Sequence, residues 1–412
     1  MTLHVVGAGL AGLSCALDAR DAGVEVVVHE SAGHAGGRCR SWFEPKLDRL
    51  IDNGTHMVVG GNQAVFRYLR RIGSTDGLVP GPAAFPMLDL DDGRLWTATA
   101  TRLLPSILAS AWRMRDAEGS SISACLGRSR NFRRFWDPLG VAIMNTPCDA
   151  ASATVFRRVL ARTLWRGQAA SQPFLVRSGL SETFVHPALA ALGASGAVVR
   201  LHHPLRRLVR DASGAAVELV FDDETVRLGV NDMVVLAVPW AVAAVLLPGL
   251  PELSASPIVN AHFRLSAPPA QPPAGGFLGI VGGTAQWLFL RDGILSVTVS
   301  AAAELAERPA DEVAARVWGD AVRALDLRGT PLATRVIKEK RATLFHSAEV
   351  EALRPPPKAG PNLVLAGDWT ATGLPCTLEG ALRSGSRAAE VILGLPNYKT
   401  RVSNAIKMCV TG

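Results

Sequence analysis

The amino-acid sequence LHVVGAGLAGLSCALDARDAGVEVVVHE at residues 3–30 specifies a strand, a glycine-rich turn, a helix and a second strand. The turn is Gly7-Ala8-Gly9-Leu10-Ala11-Gly12. Its first glycine permits a tight bend, its second lets the backbone approach a diphosphate, and its third lets the helix pack on the strand. Glu30 ends the second strand, where a carboxylate can accept hydrogen bonds from a ribose diol. The sequence therefore predicts a dinucleotide-binding βαβ unit.

Two further segments indicate that the dinucleotide is FAD. Gly36-Gly37-Arg38 follows closely after Glu30, and a flexible pair with a cation suits a tightly held diphosphate better than an exchanging nicotinamide. Near the other end of the chain, Gly367-Asp368-Trp369 closes an apolar strand, and we expect Asp368 to bond a ribityl hydroxyl. The helix predicted to open at Thr377-Leu378-Glu379-Gly380 directs amide groups at an electron-rich ring edge, as reduced flavin requires.

The order of the secondary-structure patterns predicts an α/β protein. Residues 63–192 are rich in Ala, Leu and Arg at helical spacing, and residues 256–300 alternate as in an antiparallel sheet that faces a cavity. We predict a Rossmann-like FAD-binding domain with an interleaved substrate domain, made of a helical cap and an antiparallel sheet. The predicted boundaries are 1–62, 193–250 and 355–396 for the FAD-binding domain, 63–192 and 251–354 for the substrate-binding domain, and 397–412 for a tail.

The composition excludes several classes of protein. The 412 residues are 48% hydrophobic and 19% charged, which is typical of a globular protein. The six cysteines include no Cys-x-x-Cys pair, so we expect neither a disulfide framework nor a metal site. Arginine carries most of the net charge of +7, and the cluster of Arg128, Arg130, Arg133 and Arg134 is either a solvated face or a contact for anionic lipid. No motif indicates nucleic-acid binding.

The most apolar stretch, residues 233–250, predicts a buried strand and a short helix. A membrane span is less consistent with it, because Pro239 divides the stretch and Asp232 precedes it. The chain enters a strand directly at its N-terminus, so we expect no cleaved signal peptide.

The βαβ unit with Gly36-Gly37-Arg38 resembles the flavin amine oxidase and phytoene desaturase superfamily, and the resemblance covers nearly the whole chain. Six further blocks resemble its squalene-associated branch, the hydroxysqualene dehydroxylases. They are DNGTHMVVGGNQAVFRYLRRIG (52–73), FWDPLGVAIMNTP (135–147), SPIVNAHF (256–263), VGGTAQWLF (281–289), EKRATLF (339–345) and GDWTATGLPCTLEGALRSG (367–385). This resemblance implies reductive removal of the hydroxyl of hydroxysqualene to give squalene, in bacterial hopanoid synthesis.

The motifs and the resemblance together imply FAD contacts along the whole chain. They are Gly7, Gly9, Leu10, Ala11, Gly12, Glu30, Gly36, Gly37, Arg38, Asn53, Gly54, Thr55, Leu205, Gly367, Asp368, Thr377, Leu378 and Glu379. No motif identifies the electron donor that reduces the flavin. Because the implied triterpene substrate dissolves in membranes, we expect a cytoplasmic protein that is peripherally associated with the inner membrane.

The implied reaction requires a proton donor in a dry, apolar cavity. An allylic hydroxyl leaves as water once its oxygen is protonated, and hydride from reduced flavin can then replace it. His56 and Glu379 are the candidate donors. The alternative role is structural for His56, and positioning of the flavin or of the helix for Glu379. Asn145, in the predicted Asn-Thr-Pro turn of the cap, is a candidate to orient the hydroxyl. Cys376 is favoured as a small packing residue over a covalent flavin anchor.

Three other functions fit parts of the pattern. A carotenoid-type desaturase would use the same scaffold and a polyprenyl substrate in the oxidative direction, but its C-terminal block should be richer in glycine and proline. An amine oxidase usually presents paired tyrosines around the amine, whereas Tyr68 and Tyr398 are the only tyrosines in this sequence. A non-enzymatic lipid-carrying protein on this fold would lack a full flavin site, which the intact motifs argue against.

Overall fold

The computed structural model describes residues 1–270 and 272–394 as a mixed α/β protein. The predicted tail at 397–412 lies outside the described residues. The strands are β1 Thr2–Val6, β2 Glu25–His29, β3 Ser41–Glu44, β4 Arg49–Asp52, β5 Met57–Val59, β6 Leu78–Pro80, β7 Phe85–Asp89, β8 Leu95–Ala98, β9 Pro173–Val176, β10 Val198–Arg200, β11 Arg207–Arg210, β12 Ala216–Val220, β13 Thr225–Arg227, β14 Met233–Leu236, β15 Ala255–Arg264, β16 Phe277–Val281, β17 Trp287–Arg291, β18 Ile294–Val299, β19 Ala333–Leu344 and β20 Leu363–Leu365.

The α-helices are distributed along the described chain, and several of the shorter ones lie between residues 104 and 194. They are α1 Leu10–Asp21, α2 Gln63–Arg71, α3 Leu104–Arg113, α4 Ile122–Leu126, α5 Asp137–Met144, α6 Ala153–Leu160, α7 Gln168–Ser171, α8 His186–Ala194, α9 Trp240–Leu246, α10 Ala303–Glu307, α11 Ala310–Leu325, α12 Ala348–Leu353 and α13 Leu378–Ile392. Single π-helical turns at Phe132–Trp136 and Ser181–Val185 lead into α5 and α8.

A five-stranded parallel sheet holds the dinucleotide-binding motif. Its strand order is β10-β2-β1-β14-β20, so it gathers strands from the beginning, the middle and the end of the chain. Short apolar strands such as β14 and β20 are buried, which is typical of a parallel sheet covered on both faces. The N-terminal helix α1 packs against the C-terminal helix α13 beside this sheet. The predicted Rossmann-like fold is confirmed, and the exact domain boundaries stay a prediction.

A three-stranded antiparallel sheet, β11-β12-β13, shares an apolar core with the parallel sheet. Leu219 and Phe221 of the small sheet, Leu236 of β14 and Trp369 are buried together in this core. The apolar stretch 233–250 forms β14 and α9, as predicted. None of the helices within the described residues is long and apolar enough to cross a membrane.

A seven-stranded sheet, β19-β15-β18-β17-β16-β7-β8, forms the second large layer. Its strand pairs are antiparallel except that β16 and β7 run parallel. The antiparallel pairing predicted for residues 256–300 is confirmed in β15 to β18. The segment predicted as a mostly helical cap is corrected, because it contains β6 to β9, and β7 makes the sheet mixed. Strands β7 and β8 were not predicted, because short apolar runs give no clear periodicity. They pair with each other as a local antiparallel hairpin, and β7 joins the hairpin to the sheet through β16.

The arginine cluster in the cap is largely neutralised by nearby carboxylates. Arg133 and Arg134 donate hydrogen bonds to the fully buried Asp89, at 2.7 and 3.1 Å, and also contact the carboxylates of Asp91 and Asp92. The sequence left open a solvated face or a lipid contact. These ion pairs connect the π-helical turn before α5 to β7, so the two arginines stabilise the fold.

Three histidines form a hydrogen-bonded chain between the parallel sheet and the small sheet. His4 Nδ1 lies 3.1 Å from His29 Nε2, and His29 Nδ1 lies 3.0 Å from His203 Nδ1. The Phe221 ring stacks on His203 with ring centroids 3.9 Å apart. Burial, with smaller contributions from His4 and His203, lowers the pKa of His29 to about 3.

We expect the free energy of unfolding to fall steeply as the pH drops below 6.5. In the window from 6.5 to about 3, the unfolded chain binds a proton at His29 that the folded chain does not bind. Such a histidine costs about 1.4 kcal/mol per pH unit, and His262, with a pKa lowered by burial to about 4, adds to the loss. Thermal unfolding across this pH range is the measurement. His29→Gln should flatten the decline; the same slope in both proteins would contradict the account.

Candidate functional site

The glycine-rich turn is closely packed at one position and open at another. A Cβ placed on Gly12 would lie 1.9 Å from the carbonyl oxygen of Gly7, so α1 approaches the turn only because residue 12 has no side chain. A Cβ placed on Gly9, immediately before α1, meets no atom within 4 Å. Open backbone at a helix N-terminus is what a diphosphate group requires. The turn therefore fits a dinucleotide.

The backbone of residues 36–37 borders the same open space. Gly36 donates its N–H to Ala8 O at 2.8 Å and forms an isolated parallel bridge with Gly9. A Cβ on Gly37 would have only Gly9 Cα near it, at 3.6 Å. The two glycine segments that the sequence assigned to one cofactor thus lie side by side.

Glu30 is held at the end of β2 by two backbone amides. Its Oε2 accepts from Ala8 N and its Oε1 accepts from Ala32 N, both at 2.8 Å. A carboxylate oxygen can accept more than one hydrogen bond, so both oxygens keep capacity for ribose hydroxyls. The side chain is half-buried and therefore positioned without being enclosed.

Arg38 and Asp368 join the N-terminal and C-terminal flavin motifs. Nη2 of Arg38 donates to both carboxylate oxygens of Asp368 at 2.7 Å, and Nη1 donates to the carbonyl of Ala342. Asp368 is 5% exposed and follows β20. Two residues predicted to contact FAD thus contact each other. This ion pair fixes the guanidinium of Arg38, which directly follows the open glycine pair in the sequence.

We expect Arg38→Met to lower stability by about 1–3 kcal/mol, because it leaves the buried Asp368 carboxylate without a cation, while partial exposure of Arg38 moderates the loss. Urea unfolding of the FAD-free protein measures the effect. Arg206→Met is the matched control, since Arg206 also makes two hydrogen bonds of 2.7 Å to one carboxylate, from Nε and Nη2 to Asp222, but on the surface. It should change stability very little; equal effects of the two variants would contradict a buried role for the Arg38 pair.

The other predicted FAD contacts lie at the starts of α1 and α13, just after β20, or in the core beside the parallel sheet. Leu10 and Ala11 open α1 and are buried. Gly367 follows β20 and donates its N–H to Ser384 Oγ at 2.9 Å. Leu378 opens α13, and Leu205 packs, partly buried, on the core shared by the parallel and small sheets.

Residues 52–56 lead from the predicted FAD contacts Asn53 and Gly54 to a largely apolar cavity, which Thr55 and His56 line. Asp52 is 3% exposed and accepts a hydrogen bond from Ser41 Oγ at 2.6 Å. It also forms an ion pair with Arg291 at 2.9 Å. Asn260 of β15 donates to the carbonyl of Asn53 at 3.3 Å, which fixes the segment on the large sheet. The walls of the cavity include Leu175, Val176, Phe289 and Ile294, and its polar lining includes Thr55, His56, Arg291 and Ser296.

His56 presents a neutral imidazole to this cavity. Its Nδ1 lies 2.6 Å from Gly54 O, so Nδ1 carries the proton and Nε2 is the acceptor in the neutral ring. Burial lowers the pKa of His56; the Gly54 carbonyl and Asp52 oppose this shift, and Arg38 reinforces it. An imidazolium at this position would be a stronger acid than usual and would form at lower pH.

Glu379 connects the starts of two helices. Its Oε2 accepts from Ala64 N at 2.8 Å and from Val65 N at 3.1 Å, in the first turn of α2. Burial raises its pKa, although these amides oppose the shift. Thr377 caps α13 by accepting from Gly380 N at 3.1 Å. Glu379 therefore positions α13 relative to α2.

The structure gives Asn145 a structural role. Its Nδ2 donates to Ser256 O at 3.0 Å and to Thr343 Oγ1 at 2.9 Å, and its Oδ1 accepts from Ala301 N at 2.6 Å. Both amide hydrogens are thus used, and the residue ends α5 with a φ of +46°. This arrangement joins the cap to the large sheet. The predicted contact with a substrate hydroxyl stays a prediction that these bonds do not favour.

Sequence reasoning missed the support of the C-terminal flavin motif. Arg354 is buried and donates to Thr370 O at 2.9 Å and to Leu374 O at 2.7 Å, while His346 Nε2 accepts from Cys376 N at 2.9 Å. An isolated arginine before a proline run carries no motif that could have indicated this. Burial raises the pKa of the Cys376 thiol, in keeping with its predicted packing role.

A family comparison agrees with this geometry. The model of the flavin-containing amine oxidoreductase family matches residues 10–135 and 161–393. The chain therefore belongs to this family and is an FAD-dependent oxidoreductase.

Curated relatives narrow the assignment. The chain is 40% identical to a hydroxysqualene dehydroxylase of Sinorhizobium fredii, over 96% of this chain and 99% of the relative. It is 37% identical to a hydroxysqualene dehydroxylase of Rhodopseudomonas palustris, over 95% of this chain and 98% of the relative. Such similarity over almost the full length puts the chain among the hydroxysqualene dehydroxylases. A zeta-carotene desaturase of Solanum lycopersicum matches only 39% of the chain, at 25% identity.

Solved structures share the fold. An oxidoreductase from Methanosarcina mazei superposes with a TM-score of 0.74, covering 95% of this chain and all of that one, at 16% sequence identity. At this identity the similarity concerns the fold alone.

Proposed function

We propose that this protein removes the hydroxyl group of hydroxysqualene reductively to give squalene, with FAD as its cofactor. The observation that carries the proposal is near-full-length similarity to proteins named hydroxysqualene dehydroxylase. The open backbone at Gly9 and Gly37 supports it, because the space beside the N-terminus of α1 has room for the diphosphate of FAD.

In this proposal, residues from both ends of the chain hold FAD. The backbone at Gly9 and Gly37 leaves room for the diphosphate, Glu30 would bind the ribose, and Arg38 and Asp368 would hold the flavin half of the cofactor. Asn53 and Thr55 contribute contacts from the segment that leads to the cavity. When bound and reduced, FAD supplies the hydride that the reaction requires.

We assign the proton transfer to His56. Protonated at Nε2, it would give that proton to the hydroxyl oxygen, so that the group leaves as water and the carbon becomes able to accept hydride. Apolar side chains make up most of the cavity wall, which disfavours bound water beside the reacting group. Glu379 acts as a positioning residue that holds α2 and α13 together.

Product analysis tests the function. Reduced, FAD-loaded protein incubated anaerobically with hydroxysqualene should yield squalene, with oxygen excluded because it would consume the reduced flavin. More unsaturated polyenes formed by the oxidised protein would favour the desaturase instead. A colourless protein that binds triterpene but no flavin would favour the lipid carrier.

We also propose that the protein is cytoplasmic and contacts the inner membrane peripherally. The support is the solubility of the proposed substrate, which partitions into bilayers. Release from membranes by salt and mild detergent is then expected.

A further inference from the structure

Helix α3 exposes large apolar side chains along one face. Leu104, Leu108 and Trp112 are 51%, 62% and 64% exposed. Their spacing of four residues aligns them on one side of the helix. The opposite side is buried through Ile107 and Ser110. We call the solvent-facing side the α3 face, formed by Leu104, Pro105, Leu108, Ala109 and Trp112.

The buried side of α3 is fixed to the cap by specific hydrogen bonds. Trp136 Nε1 donates to Ser106 Oγ at 2.9 Å, and Trp165 Nε1 donates to Ser110 Oγ at 3.3 Å. These two bonds set the rotation of the helix about its axis. The α3 face is therefore held toward solvent by the fold.

Arginines border the α3 face, and the face itself carries no charge. Arg102 precedes it, and Arg113 and Arg115 follow it. The guanidinium of Arg115 lies 4.8 Å from the ring centroid of Trp112, and its Nε also pairs with Asp116 at 3.0 Å. Arg113 donates to Leu126 O at 3.0 Å, whereas none of the ion pairs within the described residues involves Arg102. A tryptophan beside arginines at the edge of an apolar stripe is typical of helices that lie in a membrane interface.

We propose that the α3 face docks the protein on a bilayer that contains anionic phospholipid. Leu104, Leu108 and Trp112 enter the boundary between headgroups and acyl chains, and Arg102, at the start of the face, contacts lipid phosphates. The inference rests on the proposed function, because a triterpene substrate must be taken from a bilayer.

The charge pattern favours a bilayer over a second copy of the chain. In a two-fold symmetric pair, the same surface meets itself, and a second α3 face, which carries no carboxylate, would give Arg102 no counter-charge. Anionic headgroups instead supply one. The net charge of +7 on the chain acts in the same direction.

Vesicle flotation of the FAD-loaded full chain tests the proposal. The vesicles are phosphatidylcholine alone and phosphatidylcholine mixed with phosphatidylglycerol. The test variant is Leu108→Ser with Trp112→Ser, and the matched control is Leu332→Ser, which removes a leucine that is 63% exposed outside the α3 face. Arg102→Gln tests the charge contribution separately.

We expect the wild-type protein and Leu332→Ser to float with the anionic vesicles, and the double variant to bind them at least about tenfold more weakly. Arg102→Gln should weaken binding to anionic vesicles only. Equal binding by the double variant and the control, or no binding by the wild type, would overturn the proposal. A change in oligomeric state of the double variant without vesicles would assign the α3 face to self-association instead. Turnover of detergent-dispersed hydroxysqualene should be unchanged in the double variant, which separates failure of docking from failure of the proposed function.

Discussion

The Gly9→Val variant should fold normally and purify almost without FAD. A Cβ at residue 9 meets no protein atom within 4 Å, so the start of the new side chain has free space within the chain itself. It fills the space beside the N-terminus of α1 where the diphosphate is expected. We expect FAD binding to weaken on the order of a hundredfold or more, since the close approach of backbone to diphosphate is lost.

Flavin absorbance of the purified protein and titration of the FAD-free protein measure this effect. Gly319→Val is the matched control, because residue 319 is exposed in α11 and a Cβ added there also meets no atom within 4 Å. The control should bind FAD as the wild type does. Full flavin occupancy in Gly9→Val would remove the glycine turn from the cofactor site.

Substitution of the proton donor should have the second large effect. We expect His56→Gln to lower kcat on the order of a hundredfold, the typical contribution of a general acid, while flavin occupancy stays the same. Because burial lowers the pKa of His56, its protonated form increases as the pH falls below 6.5. Activity of the wild type should therefore rise toward acidic pH over the range in which the protein stays folded.

Glu379→Gln separates the two candidate donors. Glutamine keeps an oxygen for the amides of Ala64 and Val65, so a positioning role survives the change and activity should fall only slightly. If Glu379→Gln lost activity as severely as expected for His56→Gln, and His56→Gln kept both its rate and its pH profile, the assignments would have to be exchanged. Steady-state rates across pH, with flavin content measured in each sample, distinguish these results.

The nucleotide-binding part of the fold could be predicted because its physics is local. Gly9 and Gly12 are required by the geometry of a single turn, and Glu30 lies at a fixed distance along the chain from that turn. The apolar runs of β14 and β20 also identify buried parallel strands without knowledge of their neighbours.

Features that depend on distant parts of the chain could not be predicted. Strand β7 forms a local hairpin with β8, but its place in the large sheet depends on pairing with β16, about 190 residues later in the chain. Asn145 contacts Ser256, Ala301 and Thr343, which no local pattern relates to it. The pairing of Arg133 with Asp89 likewise removed a cation that the sequence left available for lipid.

The most direct test of the central claim follows a hydrogen isotope from the reduced cofactor to the product. FAD-loaded protein is reduced with a deuterated donor in deuterium oxide, transferred rapidly to hydroxysqualene without oxygen, and the product is analysed by mass spectrometry and NMR. A parallel reaction starts from protein reduced in ordinary water. The account predicts squalene that carries deuterium at the carbon that held the hydroxyl group only in the first reaction. Squalene without that label, with exchange into solvent excluded by rapid mixing, would contradict direct hydride transfer in this protein.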